Sequence, residues 1–112
     1  MPSLKTRYLN PTPYTTPTIV TNVDYSPSAY ETYLILTSTD GAAKTITLPA
    51  GNSIRRIFIR MAVRTAGAYG VTVGAGTVTF DAANEAATFI SESGTTGVAI
   101  WQVESLFGAT FA

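Results

Sequence analysis

From Ala29 onward the chain is built of short runs of β-branched, aliphatic and aromatic residues, punctuated by glycine and other turn formers, and this pattern predicts strands and turns. Tyr33-Leu34-Ile35-Leu36-Thr37 is the first strong strand. Ser38-Thr39-Asp40-Gly41 supplies a turn, because Asp-Gly tolerates positive φ, and Lys44-Thr45-Ile46-Thr47-Leu48 then alternates until Pro49 ends it. The two runs are expected to form a hairpin. Arg56 to Arg64 is the clearest amphipathic strand, with Ile57, Ile59, Met61 and Val63 on one face and Arg56, Phe58, Arg60 and Arg64 on the other.

Val71-Thr72-Val73 and Thr77-Val78-Thr79-Phe80 flank Gly74-Ala75-Gly76, the signature of a tight hairpin, and Asp81 to Glu85 should be the loop that follows. Ala87-Thr88-Phe89-Ile90-Ser91, a turn over Gly94 to Gly97, and Val98-Ala99-Ile100-Trp101-Gln102-Val103 complete the set. The last run is apolar on both faces, which predicts a central strand or one at an interface. Only Ala82 to Ala87 has fair helix propensity, and it is too short for more than one turn. Strands at this spacing predict an all-β fold: a small antiparallel, jelly-roll-like sandwich or barrel.

The first 22 residues read differently. Pro2, Pro11, Pro13 and Pro17 each remove a backbone donor and bias the preceding residue toward extended geometry, so residues 1–22 are expected to be an extended arm ahead of a single β-domain at 23–112. Tyr8, Leu9, Tyr14, Ile19 and Val20 give this arm apolar handles for docking on its own domain or on a neighbour.

Composition adds one pressure and several exclusions. Hydrophobic residues make up 46% of the 112 and charged ones 12%, too few charges to keep a monomer's surface free of apolar patches, so buried subunit interfaces are expected. Seven basic and seven acidic side chains cancel, which removes the simple electrostatic case for binding nucleic acid or a membrane surface. Histidine and cysteine are both absent. With them go the commonest general base, the usual partners of a nucleophilic serine, and thiolate or imidazole metal sites. The acids fall mostly in predicted turns, the glycines at 70–76 lead into a strand where a phosphate loop needs a helix, and Asp81 to Glu85 does not match a calcium loop. The expectation is a structural or binding protein with no catalytic residues, no cofactor and no metal. Without a secretory or membrane-spanning apolar stretch, it is expected in soluble form.

Charge is nevertheless uneven along the chain, because Arg55, Arg56, Arg60 and Arg64 fall within ten positions. Arg56, Arg60 and Arg64 share a strand face with Phe58, a combination that suits ion pairing with Glu85, Glu92 or Glu104 inside the domain or across a subunit boundary. Docking on an acidic protein surface ranks next, and nucleic acid last. Trp101 is expected to pack in a core or along a trimer axis, with sugar stacking as the lesser option.

Taken together, Thr45-Ile46-Thr47-Leu48-Pro49-Ala50-Gly51, a long strand, Val71-Thr72-Val73, the run Gly76 to Ala83, Ala87 to Ser91 and a closing strand with Trp101 resemble β-rich modules of tailed-bacteriophage virion proteins. The likeness, over about residues 33–104, is to capsid decoration (cement) proteins and to head- or tail-fibre segments. It implies a homotrimer on the surface of the virion, bound to the major capsid protein, with the arm laid over capsomers. On that basis the interface residues would be Tyr8, Leu9, Tyr14 and Ile19 in the arm, with Arg56, Phe58, Arg60, Arg64 and Trp101 in the domain. The basic strand departs from the resembled pattern. The alternative is a receptor- or carbohydrate-binding module of a phage fibre or tail, with Trp101 stacking on sugar.

Overall fold

A computed structural model describes residues 16–28, 30–49, 55–74, 76–93 and 99–112. Tyr8, Leu9 and Tyr14 lie outside the described residues, as does the expected turn over Gly94 to Gly97.

All the regular elements among the described residues are strands, arranged in two sheets that face each other across one core. The five-stranded sheet has the order β1 (Thr18–Thr21), β2 (Tyr33–Ser38), β4 (Arg55–Arg64), β7 (Ala86–Ser93), β8 (Ala99–Phe107). The four-stranded sheet has the order β3 (Lys44–Ile46), β5 (Tyr69–Val73), β6 (Gly76–Phe80), β9 (Thr110–Phe111). The all-β two-sheet sandwich expected from the residues is present, and it is not a closed barrel.

The sheets are mixed, which corrects the expectation of purely antiparallel pairing. β1, β2 and β4 lie side by side in parallel, and β3 runs parallel to β5. Tyr25, between β1 and β2, makes a further parallel bridge to Ile46 on the outer edge of β3. The chain therefore crosses from one sheet to the other at every step from β1 to β5, as a flattened coil. β6 to β9 then return antiparallel to close both sheets.

This winding overturns the hairpin expected from residues 33–48. β2 and β3 belong to different sheets, because both sides of β2 are taken by β1 and β4. The Asp-Gly turn is real, with Gly41 at φ +83° and the Asp40 carboxylate accepting from the Ala42 amide, but it changes sheet where a hairpin would reverse the chain. The tight hairpin between β5 and β6 is present as expected.

Alternation places the core. Leu34, Leu36, Ile57, Ile59, Met61, Ala87 and Phe89 of the larger sheet meet Ile46, Tyr69, Val71, Val78 and Phe80 of the smaller, all essentially inaccessible to water. Val63 does not join them and is 44% exposed. The register between β2 and β4 slips by one residue after Leu36–Met61, and such a bulge turns every later side chain to the other face. β8 is an edge strand, not a central one, and the apolar side chains of Ile100, Leu106 and Phe107 lie exposed along it; Phe111 of β9, the edge strand of the other sheet, is exposed as well.

Two buried polar side chains lock the crossings. The Tyr69 hydroxyl donates to the Val23 carbonyl (2.9 Å) and accepts from the Val23 amide (3.2 Å), tying the start of the β1–β2 connection to β5. Lys44 points inward, where its ammonium pairs with Asp40, donates to Ser38 Oγ (2.9 Å) and lies 5.8 Å from the centre of the Tyr69 ring. A buried cation with that many partners is tolerated; one stripped of them would cost several kcal/mol, by about 3–5 kcal/mol on typical figures.

Gly67 and Gly74 separate steric from conformational demand. Both have positive φ, but a Cβ on Gly67 would lie 2.5 Å from the Ala42 carbonyl oxygen, whereas one on Gly74 meets nothing within 4 Å. Gly74→Ala is expected to cost about 1–2 kcal/mol, the left-handed penalty alone. Gly67→Ala must also push the 42–44 segment aside and should lower the urea midpoint clearly further; equal shifts for the two variants would refute the close approach.

Candidate functional site

The side chains opposite to the core form two outer faces of different chemistry. On the four-stranded sheet the outward positions are Thr45, Gly70, Thr72, Thr77, Thr79 and Thr110, a small, uncharged and hydroxyl-bearing surface that water solvates readily. On the five-stranded sheet the outward positions include Ile19, Tyr33, Ile35, Arg56, Phe58, Arg60, Thr88 and Ile90. A sandwich open to water would place polar residues there. This face instead mixes aliphatic, aromatic and guanidinium groups, the composition of a protein interface.

Register builds it in rows. Ile19, Ile35, Arg60 and Ala86 lie side by side across β1, β2, β4 and β7. The next row is Tyr33, Phe58, Thr88 and Ser105, in which the Tyr33 and Phe58 rings are 5.1 Å apart at 53°, a tilted aromatic pair. Beyond it Arg56 stands beside Ile90 and Gln102. Arg56 forms a two-pronged pair with Glu104, Nε and Nη2 each 2.7 Å from a carboxylate oxygen. Tyr33, Arg56, Phe58, Thr88 and Glu104 line a shallow depression of about 420 Å³.

The expected site residues are thus partly gathered and partly scattered. Ile19, Arg56, Phe58 and Arg60 share this face. Arg64 does not: it follows the bulge, and its Nε donates to the Gly67 carbonyl (3.0 Å), bracing a loop. Trp101 lies on the inward side of β8, opposite buried Ser91, packed against the core. Its indole N–H donates to the Pro49 carbonyl (3.0 Å), and the Arg55 guanidinium stands 5.9 Å from the ring centre. Of the carboxylates weighed as arginine partners, Glu104 takes that role, Glu92 accepts from Gln102, and Glu85 accepts from the Asp81 and Ala82 amides. Tyr33, Ile35 and Ile90 were not singled out in the sequence. Their alternation with buried neighbours was visible, but which strands flank β4 was not.

A second cleft, of about 490 Å³, opens at the end of the sandwich, where Ile46, Leu48, Thr72, Gly74, Ile100 and Trp101 contribute to its walls. Among the described residues no group of three Asp or Glu side chains is placed to hold a metal ion. No family model matches this chain, and neither a curated protein nor a solved structure matches it.

One carboxylate fixes the approach of β1 to this face. Glu31 accepts hydrogen bonds from Thr18 Oγ1 (2.7 Å), the Tyr25 hydroxyl (2.5 Å) and the Ser28 amide (2.6 Å). Desolvation pushes its carboxyl upward, but these bonds outweigh it and hold the pKa below its ordinary 4.5. Hydrogen bonding from Arg56 likewise holds Glu104 low, and that from Lys44 holds Asp40 low. Because each folded-state pKa is depressed, the ionised forms favour the native state above about pH 4.5, and that contribution is lost as the pH falls through the lower folded values. Urea unfolding from pH 7 to pH 3 should show stability falling on the acid side, with a shallower fall for Glu31→Gln; identical slopes would show that Glu31 plays no part.

Proposed function

We propose that this protein is a virion structural protein of a tailed bacteriophage, a trimeric decoration protein that binds and stabilises the assembled capsid. The observation that carries this reading is uncovered apolar surface in two places: the outer face of the five-stranded sheet, and the β8–β9 edge with Ile100, Leu106, Phe107 and Phe111. A charge-poor chain leaves such surface only where something covers it. In this reading the edge joins subunits, since an unpaired strand bearing apolar side chains is a template for association. The arginine-bearing face docks on the shell. The likeness of residues 33–104 to decoration and fibre modules supports the same reading. Binding only the assembled lattice would stabilise it by mass action.

Light scattering after size exclusion should give a trimer for the full chain and for a variant lacking residues 1–15, and a smaller species for Leu106→Lys/Phe107→Lys. Capsids assembled without the protein should rupture at lower temperature than decorated ones. A monomer at all concentrations, or capsids equally heat-resistant with and without the protein, would remove this reading.

A carbohydrate-binding fibre module is the competing reading, favoured only by the cleft beside Trp101. Against it, the indole N–H is already committed to Pro49 and a guanidinium stands over the ring. Trp101 emission should be blue-shifted and indifferent to added mono- and oligosaccharides; a saturable sugar-dependent change would move the assignment to the fibre module.

A further inference from the structure

We infer that the outer face of the five-stranded sheet recognises an acidic protein surface on a different protein, with Arg60 receiving a carboxylate from that partner. The inference rests on the docking role proposed above for this face, but not on the partner being a capsid.

Arg60 sits between Ile35 and Ala86, with the Tyr33–Phe58 ring pair in the adjoining row. Among the described residues, which include every Asp and Glu of the chain, none ion-pairs with it. Covering this apolar face would take Arg60 out of water. An unpaired guanidinium in such a place opposes association strongly, whereas a carboxylate received by its planar fork offsets the desolvation and adds direction.

A second copy of the chain is poorly equipped to supply that carboxylate. Asp24 accepts from the Thr45 amide, Asp40 pairs with Lys44, and Glu104 with Arg56. Glu31, Glu85 and Glu92 accept the hydrogen bonds already described. Asp81, in the β6–β7 loop, is the remaining acid. The sequence ahead of β1 points the same way: residues 1–17 carry Lys5 and Arg7 and no acid, and Ile19 just beyond them belongs to this face. The face is complementary to negative charge, and every acid of the chain except Asp81 already accepts a hydrogen bond or an ion pair within its own domain.

The test is an amide-shift titration of the full-length ¹⁵N-labelled protein with a short synthetic peptide alternating leucine and aspartate, and with its asparagine and lysine counterparts. Shifts from the aspartate peptide should centre on Ile35, Phe58, Arg60 and Thr88. Affinity should fall at least tenfold for the asparagine peptide or for Arg60→Gln, and Arg60→Glu should reverse the preference toward the lysine peptide. Arg64→Gln should bind as wild type, and all variants should keep the wild-type unfolding midpoint, as surface changes do. Equal binding of the aspartate and asparagine peptides, or an unchanged preference in Arg60→Glu, would overturn the assignment of Arg60 while leaving the docking face standing. If none of the peptides perturbs this face, the docking role itself falls. Dissociation of the oligomer by Arg60→Glu would overturn the inference by making the face a contact between copies.

Discussion

Two parallel strands that lie side by side cannot be joined by a tight turn, because the chain must travel back the length of the strand before it can start the next one. β1, β2 and β4 are such neighbours, and each return journey is made through the opposite sheet, by way of the Tyr25 bridge and then β3. Everything else in the fold follows from that constraint. The core is the space between outward and return paths, so each strand contributes alternate residues to it, and the larger sheet's Leu34, Ile59 and Phe89 face the smaller sheet's Val71, Val78 and Phe80. The crossings need anchoring where the backbone leaves one sheet for the other, and the Tyr69 hydroxyl and the Lys44 ammonium provide it with bonds to Val23, Ser38 and Asp40.

The same winding sorts the residues that do not enter the core. The four-stranded sheet turns threonines outward, and their hydroxyls leave that face at ease in water. The five-stranded sheet collects Ile19, Tyr33, Ile35, Phe58, Arg60 and Ile90 on its outer side, from strands spread over some seventy positions of sequence. Burial of the inner positions stabilises the domain, while Tyr33, Ile35, Phe58 and Ile90 on the outer side are only partly buried. Within this face the two arginines differ by a single neighbour. Arg56 has Glu104, delivered by the β8 strand at the point where its pairing with β7 slips by one residue, and Arg60 makes no ion pair among the described residues.

Much of this was legible from residues alone. Strand identity, the β5–β6 hairpin, the absence of helix among the described residues and the inward set Ile57, Ile59 and Met61 follow from alternation and turn chemistry, which are local properties of the backbone and its side chains. Val63 was misplaced because a bulge is a property of two strands, not of one. The supposed hairpin over residues 33–48 failed for a related reason: Asp40-Gly41 dictates a sharp change of direction, but whether the chain lands beside β2 or across from it depends on who already occupies the sides of β2.

The candidate face shows the same division. That Arg56, Phe58 and Arg60 stand together on the outer side of one strand was determined by the sequence, since a period of two admits no other arrangement within an unbroken strand. That Arg64 leaves the group, that Trp101 turns inward to Pro49 from an edge strand, and that Ile19 and the Tyr33–Ile35 pair join the arginines were decided only by tertiary structure. Alternation tells each strand which side chains share a face. Only pairing between distant strands, set by the burial of the whole core at once, decides which faces become neighbours.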